Sequence, residues 1–432
     1  MLADFPIDDP IIARLLILLH ADPAAGDLAE ALAMDMAEWT AVLSLATDQH
    51  VHPYLYWNLR RLDALSALPE ALHRQLHASY MSNAARNRAL LHFVEQILTA
   101  FAERHLPVIV LKGTYLVDHV YPSLGARVVG DTDLLLPAGR IAEAVTVLES
   151  LGYVGSEPFS PAFLTVDKHL GFYQRGGHLV ELHYELMVPQ KPMPVPVAEI
   201  WKRAVPATVA GCPVLVLAPE DQLLHLCIHG TLQHQLHFDM RFLTDIVVYS
   251  QYVAQRLDWQ VLVARVRRMG WGHSVWLALT LASRLLGAPI PAEICAQLRP
   301  AVLDTSILDK AVNQLFASDR AGRTANREFA RLWDPTQRME ARARQIFSRI
   351  FPSRVELAAR YHISPEAPRL PLYYALRVKD LAYEYLPLAW RMWRGETKTH
   401  TAVLQTAQLD NWLSTPTPPF EAGQEPTGVT DA

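Results

Sequence analysis

Apolar residues recur at helical spacing almost throughout residues 30–105, and the pattern then changes abruptly. Ala37-Glu38-Trp39 opens one helix, Val51–Leu62 forms a second after the break at His50-x-His52-Pro53, and Leu72–Arg104 reads as one long helix or two. Upstream, the apolar run Ile11–Leu19 is interrupted by Arg14 and preceded by acids, which suits a short core helix and not an export signal. Val108-Ile109-Val110-Leu111 is short and β-branched, a buried strand. A second strand carries Asp131 and Asp133 and ends at Pro137, and a helical stripe over Gly139–Leu151 is closed by Gly152-Tyr153. One hairpin joins His169–Tyr173 to His178–Met187 through Gly176-Gly177, and another joins Val205–Val209 to Pro213–Leu217 through Ala210-Gly211. Between them the proline-rich residues 188–197 read as an extended crossing. Pro219-Glu220-Asp221 starts a helix, and helical pattern then continues to about residue 395.

This order predicts an α+β protein in which a small mixed sheet with helices (101–217) is framed by an N-terminal helical region (1–100) and a C-terminal helical domain (218–395), with a disordered tail over 396–432. With 432 residues, 51% of them hydrophobic, the chain has material for two or three packed domains. A net charge of −5 gives no global attraction for nucleic acid. Cys212, Cys227 and Cys295 lack metal-site spacing and read as buried thiols in a reducing cytoplasm. No uninterrupted apolar stretch reaches the ~18 residues that a membrane span requires, so the expected location is cytoplasmic.

The chemistry concentrates between Pro107 and Pro137. Lys112-Gly113-Thr114 follows the first strand, and a glycine at a strand-to-helix turn admits a ligand close to the backbone while the helix start offers free N–H groups to phosphate. Asp131 and Asp133 lie two residues apart, so a strand points both to one face. Adjacent carboxylates repel unless a positive group lies between them, and a divalent cation is the usual answer. Mg²⁺ fills its octahedron with carboxylates, water and substrate phosphates; paired acids with a phosphate-cradling turn therefore imply a nucleotide site.

These residues resemble the nucleotidyltransferase superfamily typified by DNA polymerase beta, whose pattern is a hydrophobic residue, Gly and a small residue, then Asp-x-Asp and a third acid on a neighbouring strand. Leu111, Gly113 with Thr114, and Asp131 with Asp133 match it, and Glu181 in HLVELHYEL is the best third acid. The wording LKG, YPSLGAR, GDTDLLLP and VELHYEL is more narrowly similar to a bacterial family of uncharacterised nucleotidyltransferases, and the later APEDQLLHLCIHG and RFLTDIV agree. The interval from Thr114 to Asp131 is longer than in the broad pattern, and Thr132 stands where a bulky apolar residue is usual. The resemblance implies a polymerase beta-like core that transfers a nucleoside monophosphate from an NTP to an acceptor hydroxyl or phosphate on a small molecule, peptide or protein, with AMP or UMP attachment to a partner protein as one form. It implies Asp131, Asp133 and Glu181 as metal ligands for Mg²⁺, with Mn²⁺ able to substitute, and Gly113 and Thr114 against the phosphates. A nucleotide-binding or scaffold protein that keeps the fold without catalysis is the alternative.

Several neighbours invite a role. Arg127 suits phosphate because its planar fork matches two oxygens, whereas Lys112 either meets the nucleotide or pairs a core carboxylate. His183 shares a face with Glu181 and either positions substrate or bonds behind the metal ligands. Arg86, Asn87 and Arg88 either reach phosphate or form a solvated helix face. His225, His229, His234 and His237 suggest zinc only if three or four converge, and no HExxH base is present. His229, His234 and Arg241 more naturally face the cleft, with Asp245 paired to Arg241 four residues away. Arginines crowd residues 320–360, and Leu370–Arg394 mixes aromatic residues with arginines, a composition compatible with core packing, a partner or peripheral membrane contact.

Overall fold

The structure, a computed structural model, describes residues 7–187, 193, 195–237, 239–304, 306–317, 329–330, 332 and 339–417. Short runs form one seven-stranded mixed sheet: β1 (Ile109–Val110), β2 (Thr132–Leu135), β3 (Val154–Gly155), β4 (Tyr173–Arg175), β5 (His178–His183), β6 (Val205–Val209) and β7 (Cys212–Val216), in the order β3-β4-β5-β2-β1-β7-β6. β2 runs parallel to β5, and β1 parallel to β7; the remaining pairs are antiparallel. The central strands are buried, so the site they carry sits inside the molecule.

Residues 70–103 form one helix, Glu70–Glu103, not two. Its Asn83 and Asn87 are fully buried and donate to the carbonyls of Gly125, Leu124 and Arg127, so this helix pins the loop between β1 and β2. That overturns the phosphate-binding reading of Asn87; Arg86 and Arg88 remain exposed on the outer face. The N-terminal helices also pack on the C-terminal ones: Ala21 N–H donates to Leu286 at 2.8 Å, and Gln49 bonds both Leu315 and Met240. The helical regions around the sheet share one hydrophobic core with it.

Three boundaries differ from the sequence expectation. His169 only bridges to His183, and the first hairpin arm starts at Tyr173: Leu170 N–H still donates to the Leu182 carbonyl, but Gly171 N–H turns to Glu157 and the Phe172 carbonyl accepts from Ser156. β3 is too short and too exposed to leave a pattern. The tail expected from 396 instead begins with a helix, Thr397–Ser414, whose Val403, Ala407, Leu409 and Leu413 are buried against other helices. Its apolar positions are sparse among polar residues, so only packing reveals it. Residues 418–432, most of the proline-rich crossing 188–197 and most of residues 318–338 lie outside the described residues.

Candidate active site

Strand pairing brings the acids together. In the β2–β5 ladder Asp133 lies directly beside Glu181, and the two-residue period puts Asp131, Asp133, Glu181 and His183 on one face. His183 is 1% exposed and its Nε2 lies 2.8 Å from Asp133 Oδ1 and 3.3 Å from Glu181 Oε2. From the turn after β1, Lys112 adopts φ +38° and brings Nζ to 3.1 Å from Asp133 Oδ1. The positive φ thus falls on Lys112, not on Gly113. Asp133, Glu181 and His183 each offer a donor atom within 4.8 Å of the others, a group that fits a divalent cation; Asp131 stands outside it, half-buried at the cavity wall.

The charges are unevenly balanced. Burial alone would raise Asp133, but Lys112 and His183 outweigh it and hold the carboxyl well below its usual range. Burial likewise opposes ionisation of Glu181, and His183 and His169 reverse that effect. Asp131 is less well supported: Asp133 beside it, and then burial, outweigh Lys112 and Arg241 and push it up to about 6. An acid that strains against its neighbour in this way is what a bound cation would relieve.

Other expected residues are redirected. Arg127 lines the cavity, yet its fork makes a bidentate pair with Asp245, Nε–Oδ1 and Nη2–Oδ2 both 2.7 Å, so the planar donors predicted for phosphate are engaged. The pairing of Asp245 with Arg241 is overturned with it: Arg241 instead binds Asp239 and the Val128 carbonyl. Gly113 is required because an added Cβ would lie 2.6 Å from Arg127 Nη1. The Thr114 side chain is fully buried and donates to Thr132 Oγ1 at 3.3 Å, which turns its hydroxyl away from any phosphate. This also accounts for Thr132, whose hydroxyl continues through His178 to Tyr153 at 2.8 and 2.7 Å. His183 is buried between two carboxylates and does not line the cavity.

A cavity of about 280 Å³ opens over these groups. Its far wall comes from the helical domain, where Pro219–Ile228 widens into a π-helical turn, His229–Gln233, and brings His229 and Gly230 to the lining with His234 and Arg241. His229 and His234 approach each other at 3.0 Å, whereas His237 turns to Gln314. Lys168, His169 and Asp239 also line the cavity and were not singled out from sequence. Lys168 donates to Gln233 at 2.6 Å, and burial and then Lys112 depress it to about 8. No local motif marks Lys168, because its partner lies 65 residues away.

A model of the family described as "Uncharacterised nucleotidyltransferase" matches residues 35–287, more than half of the chain. The chain belongs to this nucleotidyltransferase family. The match spans the sheet, the acids and the helical wall, so this nucleotidyltransferase carries its core and both sides of the cavity within the family region. No curated protein matches the sequence. Two solved structures are similar: the solution structure of antibiotic-resistance factor ANT(2'')-Ia, at 18% identity over 42% of this chain and 93% of that one with a TM-score of 0.31, and the crystal structure of ANT(2")-Ia in complex with adenylyl-2"-tobramycin, at 18% identity over 41% and 97% with a TM-score of 0.30.

Proposed function

We propose that this nucleotidyltransferase moves a nucleoside monophosphate from an NTP to an acceptor hydroxyl or phosphate on a small molecule, peptide or protein, with Mg²⁺ or Mn²⁺ held by Asp131, Asp133 and Glu181. The observation that carries the reading is that the acids Asp131, Asp133 and Glu181 line one cavity with Lys112 and Lys168, while the other acids there, Asp239 and Asp245, are paired with Arg241 and Arg127. When bound, the metal supplies neutralisation of the phosphate charge. Lys112 and Lys168 attract the triphosphate, and the backbone N–H groups of Gly113 and Thr114 meet it at the turn. His183 holds Asp133 and Glu181 in place, and Glu181 accepts the proton of the attacking acceptor.

Pyrophosphate release from each of the four NTPs, with and without Mg²⁺, tests this in wild type and Asp131→Asn. One NTP should be turned over only with metal, and the variant should lose the activity; retained turnover sinks the mechanism. One observation favours a second reading, a nucleotide-binding protein without catalysis: Lys112 of the chain itself compensates Asp133 at 3.1 Å. A ligand at 100 times its Kd stabilises by ~2.7 kcal/mol, so a clear melting shift without pyrophosphate release would select that reading.

A further inference from the structure

The helix Leu372–Trp393 has 22 residues, and its two faces differ in kind. Arg377, Leu381 and Met392 are buried on the inner side, where Met392 packs with Phe329, Ala330, Val403 and Ala407. The helix is thus already anchored to its own protein. Its two acids are also partnered: Asp380 accepts from Tyr361 at 2.7 Å, and Glu384 pairs with Arg360 at 3.4 Å.

The outer side carries Leu372, Leu376, Tyr383, Leu386, Trp390 and Trp393, at alternating spacings that keep them on one stripe. All are exposed, from Leu376 at 37% to Tyr383 at 85%; Trp390 and Trp393 stack on each other and Arg394 lies over the Trp390 ring. Lys379 and Arg394 are the charges that share this side, and both are exposed. A helix of this length presents an apolar face about 33 Å long, far more than isolated surface residues.

Charge decides what covers it. Residues 339–394 hold ten lysines and arginines against five acids, in a chain whose net charge is −5. A second copy would bring the same positive face and repel. An anionic lipid surface supplies opposite charge to Lys379 and Arg394, accepts leucines into its acyl region, and seats Trp and Tyr at the headgroup level. No described helix is long and apolar enough to cross a membrane, which leaves a helix lying in the interface plane. We propose that the outer face of Leu372–Trp393 docks this protein on anionic membrane surfaces. This surface is independent of the nucleotidyl-transfer reading, and its test reads no enzymatic activity.

The full chain is sedimented with phosphatidylglycerol–phosphatidylcholine vesicles and with pure phosphatidylcholine vesicles, at low and high salt. Binding should require the anionic lipid and weaken with salt. Lys379→Gln/Arg394→Gln should lower the affinity about 25-fold, at roughly fivefold per cation near the surface. Trp390→Ala/Trp393→Ala should lose at least about tenfold from apolar area alone while its circular dichroism and melting stay those of wild type. Absence of sedimentation with anionic vesicles, equal binding to the neutral ones, or unchanged binding by the Trp variant overturns the proposal. So does a lipid-free dimer that the Trp variant dissolves, which would assign the face to a second copy.

Discussion

The sheet centre buries charge, whereas the Leu372–Trp393 helix exposes apolar surface, and these two inversions of the normal partition are resolved differently. Around Asp133 the molecule supplies its own compensation, Lys112 and His183 within 3.1 Å, and leaves only Asp131 straining. On the helix nothing among the described residues compensates the exposed leucines and tryptophans. A buried inversion must be balanced almost completely inside the protein, because desolvating a lone charge is prohibitive. An exposed apolar one costs far less per residue and can wait for an external surface. The unbalanced remainder in each region is what the two proposals rest on, Asp131 for the cation and the bare helix face for the membrane.

The largest effect should come from removing the balanced acid. Asp133→Asn leaves the Lys112 ammonium buried without its closest carboxylate and should destabilise by about 3–5 kcal/mol in denaturant titrations. Asp131→Asn should do the opposite. Its folded pKa of about 6 lies above the ordinary ~3.9, so the ionised form is penalised in the folded state at pH 8 and the penalty vanishes below pH 4. The metal-free variant should therefore gain about 1–3 kcal/mol at pH 8 and nothing at pH 4. Loss of stability at pH 8 would mean that Asp131 is held by a favourable partner and that the contrast between the two aspartates is wrong.

A smaller effect sharpens the picture of the polar chain under the sheet. Burial and then Arg175 depress His178 to about 4, while the unfolded histidine titrates near ~6.5. The unfolded state therefore takes up this proton first, and stability falls as the pH drops from 6.5 towards 4, by about 1–3 kcal/mol from this group. In His178→Asn that part of the slope should be absent; an unchanged slope would show that the ring titrates alike in the folded and unfolded states. Smallest of all, Trp390→Ala/Trp393→Ala should change stability by no more than ~0.5 kcal/mol, because both rings are exposed. A large loss would show the face to be part of the fold's own packing.

The metal-ligand candidates were legible because their signal is local. Two acids at spacing two on a strand share a face in any sheet, and Glu181 between Val180 and Leu182 has the same alternation, so only the β2–β5 register had to be supplied. Arg127 was misread for the opposite reason. Its partner Asp245 lies 118 residues away, and no periodicity links a loop after β1 to a helix of another region. The partner of the Thr114 hydroxyl was not legible, because a small polar residue beside a glycine turn looks the same whether its hydroxyl is free or bonded to Thr132. The helix Thr397–Ser414 was missed because its stability comes from tertiary packing and not from its own pattern.

By itself the sequence determined the strand and helix alternation, the acids on one strand face and the membership that their wording suggests, since each depends on residues close in the chain. Tertiary structure alone decided which cations balance those acids, which wall closes the cavity, and which side of Leu372–Trp393 is left bare. Those outcomes depend on side chains from distant elements meeting in a low-dielectric interior or failing to meet at the surface, and there electrostatics and burial act over distances in space that the order of residues does not encode.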